Sequence, residues 1–116
     1  MTERSAEAQA DFLSSARAAK DAQWAATAFM YVGNIRWNED QDVDGAVECW
    51  RELLASCPES DKAQEAAFRI GTVYYWTGNF EKAKKAYEEV RRRFPDGQYA
   101  ECAAERLQRI EKGNTR

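Results

Sequence analysis

The feature that most constrains this chain is an internal repeat with a period of 37 residues. Pro58 recurs as Pro95, and Ala46 recurs as Ala83 at the same spacing. Six further positions that keep their residue type are Ala63, Ala66, Ala67, Arg69, Ile70 and Val73, which recur as Ala100, Ala103, Ala104, Arg106, Leu107 and Ile110. A period of this length is typical of stacked supersecondary units, each of which packs only on its neighbours.

Each unit has the pattern of a helical hairpin. Residues 66–77 place apolar side chains at helical spacing and are followed by Gly78, which tolerates the left-handed conformation of a helix end. The second helix is predicted to stop before Pro95, because the residue before a proline is disfavoured in a helix. The small residues Gly71 and Ala83 predict that the two helices cross closely.

The whole chain, residues 1–116, is predicted to be one domain of such units. It divides into an N-terminal capping helix over residues 5–20, a first repeat over 21–58, a second repeat over 59–95 and a C-terminal capping helix over 96–112. The polar side of the last helix is assigned to Glu101, Arg106 and Glu111. Because neither Gly nor Pro occurs before Gly33, the first helix either bends near Lys20 or continues unbroken, and the bend is the preferred interpretation.

Composition excludes most catalytic classes. Histidine is absent, which removes the commonest general base and the commonest metal ligand. The cysteines Cys49, Cys57 and Cys102 lack a C-x-x-C spacing and are predicted to be buried free thiols. No glycine-rich phosphate loop is present. We therefore expect no enzyme, no cofactor and no metal; a small hydrolase that works with carboxylates is the remote alternative.

One acidic segment, residues 40–45, has the D-x-D-x-D-G pattern that opens a calcium-binding loop. Such a loop needs a bidentate carboxylate at its twelfth place, and that place is Arg51. The expectation is a solvated turn in which Asp44 caps the next helix, with a weak surface cation site as the alternative.

The net charge of −3 is unevenly distributed. Residues 1–80 carry thirteen acids and seven bases, whereas residues 81–116 carry seven acids and ten bases. In the basic stretch, Glu88 precedes Arg92 by four residues, as is typical of paired charges on a solvated helix, so no nucleic-acid partner is expected. No run of eighteen apolar residues occurs, so direct membrane insertion is not expected. The polar N-terminus predicts a cytoplasmic protein, or a periplasmic one if a leader has been removed.

Residues 68–95 and the positions next to them resemble a tetratricopeptide repeat. The matching residues are Ala67, Ile70, Gly71, Tyr74, Gly78, Phe80, Ala83, Tyr87, Val90 and Pro95. The first unit matches less well, since Arg36 stands where a tyrosine would be. The 37-residue pitch is similar to that of tetratricopeptide units in bacterial envelope proteins, namely outer-membrane assembly lipoproteins and the Tol-Pal cell-division coordinator. The resemblance implies an all-α fold, a short right-handed solenoid of five to six antiparallel helices.

The resemblance also implies which side chains bind a partner. In tetratricopeptide proteins, one side of the first helix of each hairpin lines a concave groove. The candidates at these positions are Met30, Asn34, Trp37, Phe68, Thr72, Tyr75, Trp76, Glu105 and Arg109. This stripe is more apolar than a solvated surface should be, and the alternative is that the N-terminal helix folds across it and buries it.

These features together predict a non-catalytic protein–protein interaction or scaffold module. A peptide or a partner helix would lie in the groove, anchored by the aromatic rings and oriented by Asn34, Glu105 and Arg109. The alternative is a structural accessory subunit of a larger complex, membrane-associated or not, in which the Trp- and Tyr-rich face is a permanent subunit contact.

Overall fold

The computed structural model describes residues 3–113, with side chains from residue 7 onward. Within that range it consists of six α-helices and contains no strand. The helices are α1 (Glu3–Ala18), α2 (Ala22–Asn38), α3 (Val43–Ser56), α4 (Asp61–Trp76), α5 (Phe80–Arg93) and α6 (Ala100–Glu111). The prediction of an all-α fold with five to six helices is confirmed. In the described part of the chain, no helix is both long and apolar enough to cross a membrane.

Two compact units make up the chain, Met1–Ala66 and Ala67–Arg116. The first contains α1, α2, α3 and the first turns of α4, and the second contains the remainder of α4 with α5 and α6. The boundary between the compact units therefore falls within α4.

The first two helices are separate. Helix α1 ends at Ala18, and Asp21 caps α2 by accepting a hydrogen bond from the backbone N–H of Gln23 at 2.9 Å. The chain thus breaks completely at the place where the sequence favours a bend.

Helices α2 and α3 approach closely because Gly33 has no side chain. A Cβ added to Gly33 would lie 2.3 Å from Nε1 of Trp50, whose indole is fully buried. Around this contact Phe29, Val32 and Leu53 are also fully buried. Removing a large apolar side chain from water in this way contributes roughly 1.5–3 kcal/mol.

Helix α3 is capped by Asp42 and not, as predicted, by Asp44. The carboxylate of Asp42 accepts a hydrogen bond from the backbone N–H of Gly45 at 3.0 Å, and the helix begins at Val43. Asp44 lies exposed in the first turn, where its negative charge suits the positive end of the helix dipole. The preceding turn allows this because Gln41 adopts a positive φ of 48°.

In the second unit, the ring of Tyr87 on α5 lies against Gly71 on α4. A Cβ added to Gly71 would be 2.7 Å from two carbons of this ring. The ring of Tyr87 therefore fits here because Gly71 has no side chain. Ala83, which the sequence places at this crossing, is fully buried. Gly78 lies in the turn two residues after the end of α4 and has a φ of 85°. Asn79 caps α5 by accepting from the N–H of Lys82 at 3.4 Å.

The three cysteines do not share one environment. Cys49 and Cys57 are buried, whereas Cys102 is exposed on α6, so the prediction that all three are buried is wrong for Cys102. Helical spacing puts Cys102 one residue before the buried Ala103, on the side of α6 that faces solvent. Burial raises the pKa of the Cys49 thiol to about 11 and also raises the pKa of Cys57.

Candidate functional site

The aromatic stripe predicted on α4 does not form one exposed surface. Trp76 is 67% exposed and is the most exposed large hydrophobic residue in the described part of the chain, but the adjacent Tyr75 is only 6% exposed. Phe68 and Thr72 are half-buried. The four residues are therefore divided between the interior of the second unit and its surface.

Residues from three other places in this unit cover the buried part of the stripe. Tyr99 stacks on Phe68 with ring centroids 5.1 Å apart, and Phe80 packs edge-on against Tyr75 at 5.8 Å. The guanidinium of Arg106 lies 5.7 Å from the ring centre of Phe68 and 5.0 Å from that of Tyr75. Each such cation–π contact contributes about 0.5–2 kcal/mol, depending on how far it is removed from water.

Arg106 also begins a directed chain of hydrogen bonds. Its Nη1 donates to the hydroxyl of Tyr87 at 3.1 Å, and that hydroxyl lies 3.2 Å from Thr72 Oγ1. Thr72 uses its only proton to donate to the carbonyl of Phe68 at 3.0 Å, so Tyr87 must be the donor to Thr72. Every buried polar atom along this chain is satisfied, which fixes α6 against α4 and α5.

The Tyr87 hydroxyl is neutral in this environment. Burial raises its pKa, while the hydrogen bonds with Thr72 and Arg106 and the charge of Arg106 act in the opposite direction. Because the pKa of Tyr87 is raised overall, burial outweighs the hydrogen bonds and the charge of Arg106. Tyr87 therefore serves as a structural hydrogen-bonding group in this unit.

Arg106 does not lie where the sequence predicts it. The sequence places it on the polar outer side of the last helix, whereas in the structure it is half-buried between two aromatic rings. The adjacent Leu107 is buried, so helical spacing alone does not tell whether Arg106 lies on the outer side of α6 or at its packed side. The 37-residue register, which aligns Arg106 with Arg69, is the one sequence signal that pointed to this position.

The two charged candidates on α6 pair with each other. Arg109 Nη2 donates to Glu105 Oε1 at 2.9 Å, and both side chains are at least half exposed. A pair of this kind contributes only about 0.3–0.5 kcal/mol. It can therefore open at small cost when another charged group approaches.

The candidates on α2 occupy three different environments. Met30 is buried, Asn34 is half-buried and Trp37 is half-buried. The side-chain oxygen of Asn34 is buried and makes no hydrogen bond within the described residues. An amide oxygen in this position is costly unless a donor reaches it.

One side of helix α2 makes aromatic contacts with α1. Phe12 contacts Trp24 and Tyr31, with ring centroids 6.0 Å and 5.2 Å apart. In a helix Trp24 and Tyr31 share one side, and Met30 is rotated from Tyr31 by about 100°. These ring contacts of α1 therefore lie beside the predicted stripe within the first unit.

Comparison with known proteins gives one match. Residues 65–97 match the family model described as tetratricopeptide repeat. The matched span covers most of α4, all of α5 and the turn that follows, where the sequence resemblance is strongest. No curated protein and no solved structure gave a significant match. The match supports a relationship to the tetratricopeptide family, while the narrower similarity to bacterial envelope proteins stays a prediction.

Proposed function

We propose that this chain is a non-catalytic module that binds a peptide or a helix of another protein through the exposed side of α4 and α6. The tetratricopeptide match supports a protein-interaction or scaffold role in general. The specific surface rests on one observation, the exposure of Trp76 beside a buried and well-packed Tyr75. An exposed indole held on a rigid helix is the kind of side chain that dominates the affinity of protein interfaces.

The charges near this surface support a partner that carries a carboxylate. Within the described residues, the partners of Arg106 are two aromatic rings and a hydroxyl, and no carboxylate pairs with it. Among the side chains that the structure describes, Arg109 is paired only with the exposed Glu105. A carboxylate of the partner would gain a charge-assisted hydrogen bond from either guanidinium.

The competing proposal is an accessory subunit whose exposed aromatic residues are permanently covered in a larger complex. The two proposals differ in how the isolated chain behaves. A free interaction module should be monodisperse and monomeric after purification, whereas an obligate subunit should aggregate or dimerise. Light scattering coupled to size exclusion distinguishes them.

Partner capture tests the binding surface. The tagged chain, a Trp76→Ala variant and a Trp24→Ala variant are used to capture proteins from the native host, and the captured proteins are quantified by mass spectrometry. Trp24→Ala is the matched control, since it removes an exposed indole from the first unit. We expect a protein that the wild type and the control retain and that Trp76→Ala loses.

The size of the loss can be measured on the captured protein itself. A hot-spot tryptophan contributes about 2 kcal/mol or more, which corresponds to roughly a thirtyfold weaker Kd. Identical sets of captured proteins from all three variants would argue against Trp76 as the anchor.

A further inference from the structure

Helix α2 is almost devoid of charge in a chain that is 32% charged. Of its 17 residues, only Arg36 carries a charge at neutral pH. That guanidinium is half-buried and is occupied by Gln9 Oε1 at 3.0 Å and the carbonyl of Gly45 at 3.1 Å. The solvent-facing side of α2 therefore presents no charged group.

On that side the chain presents aromatic rings instead. Trp24 is 40% exposed and Tyr31 is 50% exposed, and their spacing of seven residues puts them on one stripe of the helix. Phe12 of α1 is half-buried between them, and Ile35 continues the stripe. We call Phe12, Trp24, Tyr31 and Ile35 the α1–α2 aromatic face.

This composition is typical of the centre of a protein interface. Interface centres are depleted of charged residues and enriched in tryptophan and tyrosine, whereas ordinary solvated helix faces carry mixed charges. Inside this chain α5 is an example of a solvated helix, with charged residues along its exposed side. The contrast between α5 and α2 marks the α1–α2 aromatic face as a surface that another molecule covers.

The charges around this face indicate the chemistry of that molecule. Asp11 is exposed next to Phe12, and Asp21 is exposed three residues before Trp24, while Lys20 offsets one of these charges. The first unit as a whole, residues 1–66, carries thirteen acids and six bases, a net charge of −7. A second copy of the chain would bring the same acidic unit against it, whereas a cationic partner is attracted.

We propose that the α1–α2 aromatic face is a second docking surface, which binds an amphipathic helix of another protein with an apolar stripe flanked by Lys or Arg. The apolar stripe packs on Trp24 and Tyr31, and the basic flanks meet Asp11 and Asp21. Its residues are separate from those on the exposed side of α4 and α6, so this proposal does not depend on the proposed function.

The test uses two synthetic helical peptides of about sixteen residues, long enough for roughly four turns. Both have the same leucine stripe; one is flanked by Lys and the other by Glu. Fluorescence anisotropy of each labelled peptide is measured with the full chain at about 150 mM salt, where weak long-range attraction is screened. We expect the Lys peptide to bind at least about tenfold more tightly than the Glu peptide.

Charge-preserving variants locate the binding. The double variant Trp24→Ser with Tyr31→Ser should bind the Lys peptide at least about tenfold more weakly. Gln108→Ser, a charge-preserving change at an exposed residue of the second unit, should bind it as the wild type does. Equal binding of both peptides overturns the proposal, because charge would then play no part in the recognition. Unchanged binding by the double variant also overturns it, because simple attraction to the acidic unit would then suffice.

A second variant covers the case in which the double variant disturbs α1. Asp11→Asn with Asp21→Asn leaves the rings in place, and asparagine still caps α2. This variant should weaken the binding of the Lys peptide by about threefold or more. Unchanged binding would overturn the proposed role of Asp11 and Asp21. Sedimentation of the chain alone gives the last outcome: a dimer that the Trp24→Ser, Tyr31→Ser variant dissociates would show that a second copy, and not a cationic partner, occupies this face.

Discussion

The ring of Tyr87 lies so close to Gly71 that a methyl group on the glycine would meet Cδ1 and Cε1 at 2.7 Å. The first unit repeats this relationship with Trp50 and Gly33. Because the 37-residue register aligns Gly71 with Gln108, the last helix cannot accept an aromatic ring in the same way.

Replacing Gly71 with alanine should destabilise the chain by about 1–3 kcal/mol, since the added methyl overpacks the contact with Tyr87. This loss should appear although alanine is the better helix former by about 0.5–1 kcal/mol. Urea unfolding followed by circular dichroism measures it. In a Tyr87→Ala background the same change should become neutral or stabilising, and a full loss there would contradict the contact.

Tyr75 and Trp76 should separate stability from binding. Tyr75→Ala should cost about 3–5 kcal/mol, because it removes a buried ring that packs on Phe80 and Arg106. Trp76→Ala should change the free energy of unfolding by no more than about 0.5 kcal/mol, since its ring is exposed. Thermal melts of the two single variants measure this difference, and equal losses would contradict the burial of Tyr75.

The thiols should react in two phases. Cys102 is exposed and should be modified rapidly by a disulfide reagent such as Ellman's reagent, whereas Cys49 and Cys57 are buried and have raised pKa values. One thiol per chain should therefore react at once in the native protein and the other two only after unfolding. Cys102→Ser should remove the fast phase, and a fast phase that survives this change would contradict the assignment.

Stability should decline at alkaline pH. The pKa of Cys49 is raised from the usual 9.0 to about 11, so the neutral thiol is favoured in the folded state. This stabilisation is complete below pH 9 and is lost between about pH 9 and 11, at up to about 1.4 kcal/mol per pH unit. Urea midpoints at several pH values, with a reductant present, follow the decline. Cys49→Ala should flatten the decline without abolishing it, because Tyr87 and Cys57 also have raised pKa values.

The ion pair between α1 and α3 should make the stability of the protein decline at acid pH as well. Arg17 holds Glu52 through two hydrogen bonds of 2.9 Å and 2.5 Å, which lower the pKa of Glu52 below its usual 4.5. The stabilisation is present above pH 4.5 and is lost as the pH falls through the lowered pKa. Because both side chains are partly exposed, Glu52→Gln should cost only about 0.2–1 kcal/mol at pH 7, and this cost should disappear as the pH falls through the lowered pKa of Glu52. A loss that persists at low pH would point to packing instead of charge.

The turns of this fold could be predicted from the sequence, because local chemistry determines them. Gly78 supplies a positive φ after α4, and Pro95 follows Phe94, the residue that caps the end of α5. The environment of Tyr75 could not be predicted in this way. It depends on Arg106, thirty-one residues further along the chain, and helical periodicity on α4 carries no information about where α6 places that guanidinium.

The α1–α2 aromatic face could not be predicted from the sequence for the same reason. Which side of α2 remains in contact with solvent depends on where α1 packs, and the periodicity of α2 is weak because apolar residues occur around much of the helix. The lack of charge in α2 was visible in the sequence, but its meaning required the exposure of Trp24 and Tyr31.

The break between α1 and α2 has a consequence for how the chain opens. Because Asp21 gives α2 its own cap, α1 can detach without unwinding the helix that follows it. The contacts that hold it include the ring of Phe12, the buried Leu13 and Ala16, and the hydrogen bonds of Gln9 and Arg17. Amide protons of α1 should therefore exchange with solvent through a local opening that leaves α2 and α3 protected. The N-terminal helix is a separate cooperative segment, whose departure bares the rings of Trp24 and Tyr31 while the rest of the first unit stays folded.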